Sequence, residues 1–178
     1  MPTPTSLPNS FTAGDVLTAA NLNLLRGGFR ILRVSQATKT DTQDITSTTA
    51  VDVTGLSVTI TPQSNTSKFL LFAQVSAATA SGMEGALKFT GGNSTAYVGD
   101  TASNRQRVGV GVDYGTNVAR SLIMAYLDSP ATASAITYKV QGLCMSAGNL
   151  YINRSAVDSD TTAFGRYASS LIVLEVSA

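Results

Sequence analysis

Histidine and tryptophan are both absent from this chain, cysteine occurs once, and only 13% of residues carry a charge. Each scarcity removes a class of chemistry. Without histidine there is no Ser-His or Cys-His nucleophile pair, no imidazole general base and no imidazole metal ligand. The lone Cys144 has no partner for an intrachain disulfide. It sits in the apolar run Gly142-Leu143-Cys144-Met145, which reads as a small buried hydrophobe and not a reactive thiol. A formal net charge of +1, with no Lys/Arg run, leaves no electrostatic footprint for a polyanion, so nucleic acid is not an expected partner. Arg26, Arg30 and Arg33 cluster loosely within an apolar stretch and read as a solvated edge. The first ten residues lack the basic and apolar regions of a secretory signal, and no later apolar run reaches membrane-spanning length. The expectation is a protein made and folded in a cytoplasm, with no membrane insertion. In that setting the triplets beginning at Asn65, Asn93 and Asn153 are chance matches to the glycosylation signal.

What is present is a folded, hydroxyl-rich chain. Apolar residues are 43% of the 178, enough for one core, and serine plus threonine make up about a quarter, replacing the usual surface charge. Two segments are expected: an arm and docking helix over residues 1–28, and a β-sandwich over 29–178. Three prolines between Met1 and Ser10 exclude a helix and read as an extended arm. Thr12 then offers an N-cap, with Asp15 in the capping-box position and Phe11 placed to staple onto Val16. Leu17, Ala20 and Leu24 share one face with Leu22 and Leu25 beside it, and Gly27-Gly28 supplies the stop. So short a helix is marginal alone, so its leucine stripe needs a surface: its own sandwich, a sister chain or another protein. Phe11, Val16, Leu17, Leu24 and Leu25 are therefore the candidate docking residues.

From Phe29 onward the period becomes two. Leu56, Val58 and Ile60 alternate with Ser57, Thr59 and Thr61, and Ile136, Tyr138 and Val140 with Thr137, Lys139 and Gln141, as in strands with one face in the core. Phe69–Val75, Leu122–Leu127 and Leu171–Val176 are nearly continuous in apolar residues, which predicts central strands or strands buried at an interface. Turn chemistry at 62–67, Gly91-Gly92-Asn93, Asp128-Ser129-Pro130 and Gly148-Asn149 separates the runs. The fold class is all-β: an antiparallel β-sandwich or jelly roll with one short N-terminal helix.

Several residue groups resemble sites, and each has a plainer reading. The glycines of Val108-Gly109-Val110-Gly111-Val112-Asp113-Tyr114-Gly115 lack the lysine and following helix of a phosphate loop, and fit a strand with glycine on one face and valine on the other. Asp41 with Asp44, and Asp158 with Asp160, lack the remaining ligands of a calcium loop and suit turn hydrogen bonding, so no metal or other cofactor is expected. Glu84, Asp100 and Asp113 are the acids a glycan-active enzyme would draw on, but no spacing singles them out, and the expectation is a non-enzyme. Tyr97, Tyr114, Tyr151 and Tyr167 could stack on sugars, or serve as core and interface residues.

The segment from Ala50 to Pro62, Ala-Val-Asp-Val-Thr-Gly-Leu-Ser-Val-Thr-Ile-Thr-Pro, followed by Ser64, Ser67 and Lys68, resembles fibre-like virion proteins of tailed bacteriophages, especially those of cyanobacterial and marine phages. Tyr126–Pro130, Thr137–Gln141, Tyr151–Ser155, Leu174–Val176 and the Phe11–Asn23 segment are similar to parts of the same proteins. The resemblance implies a sandwich like the tumour-necrosis-factor and C1q heads, assembled as a homotrimer in the virion. It implies a short tail fibre or tail-associated protein, or alternatively a capsid decoration or cement protein (a head fibre), with other virion proteins and host-surface glycan as partners. It supplies no catalytic residues.

Overall fold

The computed structural model describes residues 30–80, 82–112 and 118–177, together with Gly14 and Val16. Ten strands run through it: β1 (Ile31–Lys39), β2 (Gln43–Ile45), β3 (Val51–Ile60), β4 (Lys68–Thr79), β5 (Gly85–Thr90), β6 (Val110–Val112), β7 (Arg120–Asp128), β8 (Ile136–Cys144), β9 (Leu150–Ile152) and β10 (Ser169–Val176). The one helical element among the described residues is a 3-10 turn at Ser94–Ala96. The chain is an all-β antiparallel sandwich, as its alternation predicts. The expected N-terminal helix lies outside the described residues.

One sheet holds six strands in the order β1-β10-β4-β9-β2, with β7 also paired to β4. Ala77 of β4 pairs with Arg120 of β7 and with Ile152 of β9. A strand residue has only two edges, so β9 continues the edge already occupied by β10, and β7 takes the other. The second sheet runs β3-β8-β5-β6.

Alternation explains which side chains meet between the sheets. In β3, Val53, Leu56, Val58 and Ile60 are buried, while Ser57 and Thr59 are exposed. Between Asp52 and Ser57 the β3–β8 register shifts, and Gly55 there has φ +87°. Three extra residues of β3 are accommodated there by an irregular bulge, whose left-handed position suits glycine. Tyr138 and Val140 of β8, Leu87 and Phe89 of β5, and Leu171 and Val173 of β10 complete the core with Phe69, Leu71, Ala73 and Val75 of β4. Phe69 and Tyr138 rings pack 5.6 Å apart across the two sheets.

The expected turns fall between strands, and Gly91 and Gly92 after β5 both adopt positive φ. The run Phe69–Val75 forms part of β4 and Leu171–Val176 part of β10, both flanked by strands on two sides. Leu122–Leu127 lies in β7, whose second edge carries no ladder among the described residues.

Candidate functional site

The feature that departs most from an ordinary antiparallel sandwich is the outer face of the six-stranded sheet. Such a face normally meets water with polar residues. Here the side chains pointing away from the core form rows of apolar groups across four strands. Val34 of β1, Leu174 of β10, Leu70 of β4 and Leu127 of β7 are successive cross-strand neighbours. Val34 is 58% exposed, Leu127 47% and Leu70 37%. One register step along, Gln36, Ile172, Phe72 and Ala125 form the next row, with Phe72 37% exposed. Ile31, opposite Val176, extends the patch at one end, and Ile123, opposite Gln74, continues it toward the free edge of β7. Ile31 and Ile123 are 60% and 59% exposed. Beyond Gln74 the face turns polar: its side-chain amide donates to Ser121 Oγ at 2.6 Å and Ser76 Oγ at 3.2 Å.

The outer face of the second sheet is the opposite in character. Thr59 and Thr137 hydroxyls meet at 2.8 Å. Lys139 Nζ donates to Asp52 Oδ2 at 2.6 Å, and the Gln141 amide donates to Asp52 Oδ1 at 2.8 Å. Those two bonds, Lys139 first, hold the Asp52 carboxyl below the usual carboxylate range. One broad face of the sandwich is therefore greasy and the other carries hydroxyls, amides and paired charges. Contiguous exposed apolar area of the first kind marks an interaction surface.

Of the candidate docking residues, Phe11, Leu17, Leu24 and Leu25 lie outside the described residues, and Val16 is exposed. Cys144 is buried, as its surroundings predict; its thiol donates to the carbonyl oxygens of Ile45 and Gly148, and burial pushes its pKa up. The described part of the glycine-valine run forms β6, with Val112 buried and Gly111 exposed; Asp113, Tyr114 and Gly115 lie outside. Arg33 lies on the edge strand β1, partly exposed, and also pairs with the buried Glu175 at 3.0 Å. Asp41 pairs with Lys39, Asp44 with Arg154, and Asp158 with Arg166. Each of these acids thus has a cation of its own, and among the described residues no group of three or more His, Cys, Asp or Glu side chains is placed to hold a metal ion.

Glu84 and Asp100 are exposed, and Asp113 lies outside the described residues. Tyr97 packs between Phe89 and Tyr126 at 5.8 and 5.6 Å, while Tyr151 lies under the Arg154 guanidinium at 4.0 Å. Those tyrosines serve local packing, and no ring contact joins Tyr97, Tyr151 and Tyr167 among the described residues.

No protein-family model matches the chain, and no curated protein matches it in sequence. The functional reading therefore rests on the two faces. Sequence patterning predicts that the continuous apolar runs are central or interfacial, but it does not identify which of their residues face outward. That assignment needs the register, which places Leu70 and Phe72 beside Leu127 and Ala125 on one surface.

Proposed function

We propose that the chain is a structural protein of a bacteriophage virion, a short trimeric tail fibre or tail-associated protein and not an enzyme. Its N-terminal segment docks onto the particle and its sandwich forms the head. The observation that carries this reading is the apolar outer face of the six-stranded sheet, set against a polar face on the other sheet. The similarity of Ala50–Pro62 and the other quoted segments to phage fibre-like proteins supplies the setting.

Three copies related by a rotation axis can each lay the β7 edge and its neighbours against the next copy's apolar face. Such a heterologous contact closes into a ring and covers the β7 edge. Covering Val34, Leu70, Phe72, Ile123 and Leu127, each already partly buried, contributes roughly 4 to 8 kcal/mol per protomer. That is comparable with the cost of losing rigid-body freedom on association, about 4 to 15 kcal/mol, so contacts along the β7 edge must add to it.

Light scattering or native mass spectrometry of the purified chain tests the reading. A mass of three times 18.4 kDa is expected, and a stable monomer at micromolar concentration overturns the trimer. Deleting residues 1–28 should leave the oligomer intact and abolish incorporation into particles; incorporation of the truncated chain overturns the docking role. Copy number per particle separates tail attachment, with few copies, from a capsid decoration that follows the lattice.

A further inference from the structure

On the polar outer face of the second sheet a groove of about 310 Å³ runs between the β2–β3 loop and the loop leading into β6. Lys88 of β5 and Gln141 of β8, direct cross-strand neighbours, form part of its floor. Thr48 and Thr49 wall one side, and Gln106 and Arg107 the other. Leu143 also lies on the outer face of β8, yet it is only 2% exposed, because the flanking loops rise around it.

The charges in this groove are unbalanced. Among the described residues it is lined by two cations and no acid. Lys88 makes no ion pair among the described residues, although its flank neighbour Gln141 contacts a carboxylate. That carboxylate, Asp52, is already engaged through both oxygens by Lys139 and Gln141. Arg107 donates Nε–H to the Gly99 carbonyl at 2.8 Å, which orients the guanidinium while its terminal nitrogens remain available. In a chain with so little charge, two cations share one small recess, and neither is ion-paired to an acid among the described residues.

We propose that this groove binds an acidic sugar residue, with its carboxylate held by Lys88 and Arg107 and its hydroxyls by the amides of Gln141 and Gln106 and the hydroxyl of Thr49. Arginine and lysine supply charge-assisted hydrogen bonds to a carboxylate. Primary amides and threonine hydroxyls, which both donate and accept, match the alternating donors and acceptors of a sugar ring. The volume lies at the small end of ligand pockets, about 300 to 1,000 Å³, and suits one or two rings. An inorganic anion would use the two cations and leave the amides and hydroxyls without a role. The site does not depend on the trimer reading, since it faces away from the apolar sheet.

The test titrates the full chain with tri-galacturonate, sialyllactose and a hyaluronan tetrasaccharide, and with neutral maltotriose and inorganic phosphate as controls. Binding of at least one acidic oligosaccharide is expected with Kd of about 1 mM or tighter, and at least tenfold weaker binding of maltotriose and of phosphate. The K88A/R107A double variant should weaken that binding at least tenfold, as should R107A alone by a smaller factor; Arg107 is exposed on a loop, so its removal leaves the fold in place. Solution mass measured on the same samples reports the assembly separately. No binding of any acidic sugar at about 10 mM, equal binding of maltotriose or phosphate, or full retention in the double variant would each overturn the proposal.

Discussion

The Tyr138 hydroxyl donates to Asp128 Oδ2 at 2.7 Å, and both residues are fully buried. The Asp128 carboxylate also accepts the Asn93 backbone N–H at 3.2 Å, so one carboxylate ties the end of β7 to the start of β8 and to the turn after β5. Burial first, and Asp128 second, push the Tyr138 hydroxyl far above the ordinary tyrosine range. Tyr138→Phe leaves a buried carboxylate short of a donor and should cost about 2 to 3 kcal/mol in urea unfolding. The pH dependence has a definite sign. A raised folded value contributes stability that is fully present below the unfolded value of 10.0 and declines as pH rises beyond it. Between about pH 9 and pH 11.5 the wild-type chain should therefore lose stability more steeply than Tyr138→Phe. Parallel slopes for the two would sink the assignment.

Glu175 is buried near the end of β10, where Arg33 Nη2 meets its carboxylate at 3.0 Å and the Gln63 backbone N–H at 2.6 Å. This joins β10 to β1 and to the β3–β4 loop. Arg33 is 39% exposed at its side chain, so part of the pair's field is screened by water. Arg33→Met strands the carboxylate and should cost about 2 to 3 kcal/mol, less than the loss of a fully buried partner. Glu175→Gln keeps an acceptor for Gln63 and should cost about half as much. In a double-mutant cycle, Arg33→Met combined with Glu175→Leu should recover most of the stability lost in Arg33→Met alone. Additive losses would show that the charge pairing is not the origin of the effect.

Asn153, which begins a glycosylation triplet in the sequence, is fully buried and acts as a hub. Its amide donates to the carbonyls of Lys39 and Asp41 at 2.9 and 3.1 Å, and its Oδ1 accepts the Ser169 hydroxyl at 2.6 Å. Its backbone N–H donates to Ser76, its carbonyl accepts from Tyr167, and its φ is +60°. Asparagine tolerates that left-handed geometry better than most residues. Asn153→Ala should cost about 3 to 4 kcal/mol, and Asn153→Gly, which keeps the backbone freedom, about 1 kcal/mol less. Asn153→Asp presents a carboxylate to two carbonyl oxygens and should be at least as damaging as alanine. Thermal melts of the three variants check the ranking.

The legible parts of this fold are those where one face is polar. Ser57 and Thr59, or Thr137 and Lys139, mark the outer side of β3 and β8, and the core residues follow by parity. β2, β6 and β9 are three residues each, too short to display a period, and only their partners reveal them. In β4 the segment Phe69-Leu70-Leu71-Phe72-Ala73 is apolar on both faces, so alternation is erased and the exposed apolar face is hidden inside what reads as core. Lys88 and Arg107 are invisible for another reason: no motif links them, and the groove exists only because β5 and the loop before β6 fold beside each other. Buried polar hubs such as Asn153 and Asp128 look like surface residues in sequence, because their satisfaction depends on partners that other strands bring beside them.

Leu70 and Leu71 are neighbours on β4 that the strand's pleat sends to opposite faces: Leu71 is 0% exposed in the core, and Leu70 is 37% exposed on the apolar outer face. The same substitution should therefore have two unlike outcomes. Leu71→Asp buries an unpaired carboxylate in the core opposite Val173, which exceeds the few kcal/mol that hold a domain of this size folded, and the product should be unfolded or aggregated. Leu70→Asp places the charge at a site that is open in a single chain, so urea unfolding of its isolated subunit should shift by no more than about 1 kcal/mol. In a trimer that buries this face, the same carboxylate is desolvated without a partner, and association should weaken by at least a hundredfold. The expected product is a folded, soluble monomer with intact β-sheet circular dichroism. A Leu70→Asp chain that stays trimeric would mean that the outer face is solvent-exposed in the assembly and that the copies meet elsewhere.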